Sequence, residues 1–396
     1  MTPQFELDGV GRKLRGTISR RIEIDARALA AVRIALGLLV LADLALRSRN
    51  LVAFYTDFGV YPRSGFVSNA DSLHLSLHAI SGDVWVQALL FLIAAGFAVA
   101  LTIGYRTSIA TAGSWLFLVS LHNRLGGVLN GGDVLLRMLL FWAIFLPLGA
   151  RWAVDTVHAD RRRSTVTSVA GAALLVQVVL VYLVNAAFKL SGDLWLRGQA
   201  LEYVFSLGQF TILLGDVVSS SPTLLHVLNY VWLAMVLGSV LLLVLTGIWR
   251  TGLVFLFIGM HVGMLLTMRL DLFPLISIAS LLPFLPTWFW DDLEGRLSGT
   301  PVATTIGKVP TLLARTLPVV SVAGVPPSWR RTKRRVTTVV PLVFLVLILL
   351  WNVQYAYSDV YGERDLLPDE AESVIELTRT DQYWNMFAPN PLSTDG

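Results

Sequence analysis

The stretch TSVAGAALLVQVVLVYLVNAAFK, residues 167–189, decides how the rest of the chain is read. From Val169 to Phe188 it carries no charge, and a single lysine, Lys189, closes it. A bilayer core about 30 Å thick is crossed by roughly 20 such residues as a helix. In lipid, only a helix or a closed barrel satisfies its own backbone. Eight further stretches of this kind lie outward from it, at 28–46, 84–104, 107–122, 133–150, 224–247, 251–268, 271–290 and 337–357. The expected fold is an all-α integral membrane protein, a multi-pass helical bundle of about nine transmembrane helices. The stretches 107–122 and 133–150 are short for a crossing and are expected to be tilted or partly buried. The first, 28–46, has too long an apolar run, with no small-residue site after it, to be a cleaved leader.

Composition agrees. Of 396 residues 55% are hydrophobic and 15% charged, against about 25% charged in soluble domains. Cysteine is absent, which excludes disulfide frameworks, iron–sulfur clusters, thiolate zinc and cysteine nucleophiles. With nine spans, 20 of the Lys and Arg residues fall in loops on the N-terminal side of the membrane and 9 on the other. That bias puts the N-terminus in the cytoplasm and the C-terminus outside the cell membrane. The chain then divides into a basic cytoplasmic segment 1–27, a transmembrane core 28–290 of eight spans, a Pro- and Arg-rich cytoplasmic linker 291–336, a ninth helix 337–357 and an extracytoplasmic tail 358–396. The basic lead suits an anionic inner leaflet. The tail has an acidic patch (Asp365, Asp369, Glu370, Glu372) suited to a short helix. It ends in an aromatic run, Tyr383 to Pro391, expected to pack back onto the bundle. The lipid bilayer is the expected partner. The basic runs are short and adjoin spans, which argues against nucleic acid, and neither a Gly-rich phosphate loop nor HExxH is present.

Polar residues inside spans cost about 2.5–3.5 kcal/mol each unless paired or hydrated. Asp133 and Arg137, four apart on one face, are expected to neutralise each other. Arg33 has no acidic partner on its own helix, so it needs a carboxylate, carbonyl or water from elsewhere in the bundle; a buried cross-helix pair is expected, with a substrate anion as the alternative. His122, His226 and His261 suit hydrogen bonds to neighbouring helices. His74 and His78 have metal-compatible spacing, but no third ligand follows at matching distance, and no metal is expected. Lys189 has two readings. At the outer boundary a lysine can snorkel to the headgroups, which residue types alone favour. Enclosed by the bundle beside the small residues Ala186 and Ala187, its amine would be desolvated and usable as a base.

The segment Ala186-Ala187-Phe188-Lys189-Leu190, followed by Asp193, Trp195, Gly198 and Leu201-Glu202-Tyr203, resembles the core of the HTTM (horizontally transferred transmembrane) family, which includes the membrane domain of vitamin K-dependent gamma-carboxylase. Further stretches fit in order. Arg27 to Gly37 is similar to the family's first helix, Asn130-Gly131-Gly132-Asp133 to its fourth, His261 with Phe273-Pro274 and Phe284-Leu285-Pro286 to a later pair, and Trp384 to Pro389 to a common ending. In the carboxylase the lysine deprotonates a reduced naphthoquinone, whose oxidation drives CO2 addition to a glutamate. The resemblance therefore implies Lys189 as base and a menaquinol-like reduced naphthoquinone as cofactor. Asp193 and Glu202 would tune the lysine, and Arg33, Asp133, Asn185, Trp195 and His261 would support or line a cavity. Phe188 stands where the carboxylase has a second lysine, and Gly132-Asp133 aligns where it has a functional histidine. The 39 residues after the last span are too few for its large peptide-holding domain. Quinone chemistry within the membrane is the expected function. The alternative is a non-catalytic factor for maturation or export of a secreted peptide. Transport would call for midplane charges and repeat symmetry, neither of which is evident.

Overall fold

The computed structural model describes residues 16–17, 19–64, 76–125, 129–159, 163–319, 327–361 and 367–380. Among the described residues the regular structure is helical apart from one short antiparallel pair, β1 (Ile24–Asp25) with β2 (Thr165–Val166), and an isolated bridge between Thr211 and Met268. The longer helices in chain order are α1 (Ala26–Ser48), α2 (Val84–Ile103), α3 (Thr107–Arg124), α4 (Gly131–Ala143), α5 (Val169–Leu190), α6 (Pro222–Leu237), α7 (Gly247–Thr267), α8 (Phe273–Leu281), α9 (Thr287–Leu297), α10 (Pro301–Thr316), α11 (Pro327–Tyr361) and α12 (Asp369–Thr378).

Among the described residues, six helices are long and apolar enough to cross a membrane: α1, α2, α5, α6 with its continuation to Val244, α7, and Arg331–Gln354 of α11. The other three expected crossings are helical but irregular, each for a local reason. In α3 the second half is interrupted by Ser120, His122, Asn123 and Arg124, all buried. In α4 every residue is buried, so this 13-residue helix, about 20 Å long, meets protein rather than lipid and tolerates charge. The stretch 271–290 bends by 109° between α8 and α9, where Pro283 and Pro286 remove backbone donors.

Contacts gather the loops at two ends of the bundle. At one end, β1 joins β2, Arg27 reaches Glu294 and the Thr287 carbonyl, Arg33 reaches the Arg151 and Trp152 carbonyls, the Arg106 amide donates to Asp155, and Arg250 reaches the Arg21 carbonyl. At the other, Arg47 meets Asp133, Arg124 donates to the Tyr61 carbonyl, and Ser76 to that of Ser120.

Three expectations change. Asp133 does not pair with Arg137. It caps α4 in a box with Asn130 and takes Arg47 of α1 as its ion partner at 2.5 Å, because a cross-helix guanidinium already held by Asp43 at 2.8 Å arrives preorganised. Arg137 instead donates to the Arg379 carbonyl at 2.6 Å. Arg33, fully buried, is answered by backbone rather than by a carboxylate: its Nη2 donates to the Trp152 carbonyl at 2.6 Å. The stretch 291–336, expected as a linker, is largely helical, with α10 docked through the Ala314 carbonyl to His158 and the Pro318 carbonyl to Tyr105. Asp369, Glu370 and Glu372 of the acidic patch lie in the first turn of α12, and the two residues that follow the helix meet the bundle, the Arg379 side chain donating to Asn123 and Thr380 being buried. The aromatic run 383–391 and His74 lie outside the described residues.

Candidate functional site

The end of α5 carries the site. Tyr182, Asn185 and Lys189 recur at three- and four-residue steps and so share one helix face. Ser191 and Gly192 then turn the chain into the short helix Asp193–Leu196. This turn is clamped from α6 by three side chains: Asn229 to the Trp195 carbonyl at 2.9 Å, Tyr230 to that of Leu196 at 3.0 Å, and His226 to that of Gly198 at 3.2 Å. Gly198 has φ +76°, and a Cβ there would strike the His226 ring, so the corner depends on glycine. The clamp fixes the Trp195 ring under the lysine, whose Nζ lies 3.6 Å from the ring centroid.

Lys189 is 3% exposed, and among the described residues no carboxylate lies within ion-pair distance of it. Asp193 turns outward and pairs with Arg197 at 3.3 Å, while Glu202 is exposed and lies outside the cavity lining. Neither tunes the amine by direct contact.

The lysine stands at the wall of a cavity of about 450 Å³ between α5, α6, α7 and the start of α8. Asn185, Lys189 and Thr267 supply most of its polar groups; the remainder is apolar and aromatic, including Trp195, Trp232 and Phe273. Leu228 and Val231 of α6 and Phe255 and Leu256 of α7 line it and are also exposed, so its rim reaches the outer surface of the bundle. Gly259 and Gly263 on α7 line it with open space where a Cβ would stand. The Asn185 Oδ1 is buried without a partner, as is the Tyr182 hydroxyl. Both residues border a satellite recess of about 10 Å³ with Ser277 and Ser280, room for about one water.

His261 lies behind the wall. Its Nδ1 donates to the Phe257 carbonyl at 2.8 Å, and its ring sits 6.1 Å from Trp232 and 5.9 Å from Phe273. Arg33 and Asp133 lie outside the cavity lining, in the networks described above. Lys189, Asn185 and Trp195 are thus brought together, with His261 one layer back. Sequence reasoning missed Trp232, Met260, Met264 and the glycine strip. The Gly259-x-x-x-Gly263 spacing would have pointed to a close helix approach, whereas here the two missing side chains leave room in the cavity.

Among the described residues, no group of three or more His, Asp or Glu side chains is arranged to hold a metal. His78 is buried and bonded through Nδ1 to the Ser120 hydroxyl at 2.8 Å.

Fold and site together define a helical membrane protein with a buried lysine, free of any carboxylate partner among the described residues, at the wall of an apolar cavity. The HTTM domain matches residues 22–288, two thirds of the chain, and the protein belongs to that family. No curated protein and no solved structure matches it.

Proposed function

We propose that this HTTM protein is a membrane enzyme that binds a lipid-soluble quinol in the α5–α7 cavity and uses Lys189 as the base. The observation that carries the reading is the amine itself: buried, without a carboxylate, and facing an apolar space of about 450 Å³, within the usual range for small-molecule sites. A reduced naphthoquinone fits the donor set. Its hydroxyl hydrogens need acceptors, and the Asn185 Oδ1 is an orphaned acceptor at the wall. When bound, such a quinol supplies an ionisable hydroxyl and two reducing equivalents. Lys189 Nζ receives the hydroxyl proton, Asn185 orients the ring, and the Trp195 face stabilises the ammonium that results. The apolar lining excludes water, and the exposed residues at the rim admit the ligand from the bilayer.

A topology belongs with this proposal. The loops alternate between the two ends of the bundle through all nine helical stretches, α3, α4 and the α8–α9 pair included, which supports nine passes. The 20-to-9 distribution of basic residues supports a cytoplasmic N-terminus, with the Lys189 end toward the outside.

Purified wild type and Lys189→Ala, given reduced naphthoquinone and labelled bicarbonate in air-saturated buffer, with dioxygen as the electron acceptor, test the proposal, with quinol oxidation and carbon fixation scored separately. Wild type is expected to oxidise the quinol and the variant to lose that activity. No oxidation by wild type, or equal rates in both, refutes the base and leaves the non-catalytic role in handling a secreted peptide.

A further inference from the structure

A second cavity, about 410 Å³, opens at the opposite end of the bundle, where the approach to α1, the α6–α7 connection and the α8–α9 break meet. Its character is the reverse of the first. Arg20, Arg21 and Arg250 line it, with the threonines Thr246 and Thr287. Two carboxylates also face it, but Asp25 is already engaged: its oxygens cap α1 and bind Arg27 at 2.9 Å. Among the described residues, Glu23 is left as the one carboxylate opposing three guanidinium groups.

Arg250 is the informative member. It is 4% exposed, its Nη1 donates to the Arg21 carbonyl at 3.0 Å, and its Nε is buried with no partner. Among the described residues no carboxylate lies within ion-pair distance of it. A buried guanidinium left without a counter-ion is strongly destabilising, and its planar fork matches the oxygens of a phosphate. The surroundings give the depth. Ile248 and Trp249, next to the lining residues Gly247 and Arg250, are 65% and 76% exposed, and Trp288, next to Thr287, is 45% exposed. Exposed tryptophans beside apolar spans mark the headgroup level of a membrane.

We infer that this cavity binds the phosphate of an anionic phospholipid, with Arg250 as the buried contact, Arg20 and Arg21 closing over it from the N-terminal approach, and the acyl chains lying along the exposed surface below Trp249. The site is independent of the quinol reading.

The test uses the full chain in nanodiscs of phosphatidylcholine doped with phosphatidylglycerol, with retained lipid read by native mass spectrometry and inorganic phosphate added as competitor. Wild type is expected to retain phosphatidylglycerol over phosphatidylcholine. Arg250→Gln should weaken that retention about tenfold, the loss of one charge-assisted contact. The exposed Arg20→Gln, which leaves the fold intact, should weaken it severalfold, and Glu23→Gln should strengthen it. Displacement by inorganic phosphate would show that the phosphate group alone is recognised. Retention against it would assign recognition to the whole headgroup. No preference in wild type, unchanged retention in both arginine variants, or a fall in Glu23→Gln would overturn the site.

Discussion

Replacing Lys189 by methionine keeps the length and apolar stem of the side chain and removes only the amine. Stabilising an ammonium inside a protein costs several kcal/mol of lost hydration. The partner visible in the structure is the Trp195 face, 3.6 Å from Nζ, and such a contact returns about 2 kcal/mol at most. Among the described residues no carboxylate offsets the remainder, since Asp193 is turned to Arg197. In the unfolded ensemble a lysine at a helix end snorkels to water and carries no such burden. Lys189→Met is therefore expected to stabilise the fold by about 1–3 kcal/mol, while abolishing any proton transfer at this position. Titration with a denaturing detergent in mixed micelles, followed by tryptophan fluorescence, measures the difference. A loss of about 1 kcal/mol or more on substitution would mean that the amine is held as a structural cation, and the argument for a base would fail with it.

The ion cluster at the same end of the bundle behaves oppositely. Arg47 neutralises both Asp43 and Asp133, so Arg47→Ala strands two buried carboxylates and should cost about 3–5 kcal/mol; adding Asp133→Asn should recover part of that in the same unfolding assay. In the loop segment between α1 and α2, burial, and secondarily the charge of Arg124, push the His78 imidazole down to about 4. The unfolded chain binds that proton first, near pH 6.5. Stability is thus complete above about 6.5 and falls as pH drops toward 4, by up to about 3 kcal/mol. His78→Gln should flatten this slope in melting curves taken across that range.

What the sequence disclosed and what it withheld follow one physical division. Runs such as Val169–Phe188 announce themselves because the bilayer imposes length and apolarity on a helix, and a lysine ending one is conspicuous. Partner choice is another matter. The i,i+4 rule pointed Asp133 at Arg137 along one helix, but in a bundle a guanidinium from another helix competes, and Arg47 occupies that carboxylate. Arg33 found carbonyls at Arg151 and Trp152 because the loop there turns inward, which no spacing encodes. Asp193 faces outward because the turn at Ser191–Gly192 sets its direction. The cavity wall was illegible for a further reason: Trp232, Met260 and Met264 have the composition of any lipid-facing surface, and only the packing of α6 against α7 shows that a space is left between them.

That packing also bears on how a ligand would enter. Polar ties are concentrated among α1, α3, α4 and the chain after α12, through Arg47–Asp133, Arg137 to the Arg379 carbonyl, and Arg379 to Asn123. The side chains of α6 clamp the turn at Trp195–Gly198, and those of α7 bond within their own helix or to Arg21. Among the described residues no hydrogen bond or ion pair joins α6 to α7. The two are joined directly at residues 245–246, the end away from Lys189, and at the lysine end α7 is tied to the segment leading into α6, the Ile212 amide donating to the Thr267 carbonyl and the Leu214 amide to that of Leu266. Parting α6 from α7 between these two joined ends breaks only apolar contacts, which acyl chains replace at little cost. A bowing apart of the two helices at mid-length, where Leu228, Val231, Phe255 and Leu256 form the exposed rim, is therefore the opening that costs only apolar contact. It leaves the ion-paired half undisturbed, and with it the clamp that holds Trp195 beneath the amine.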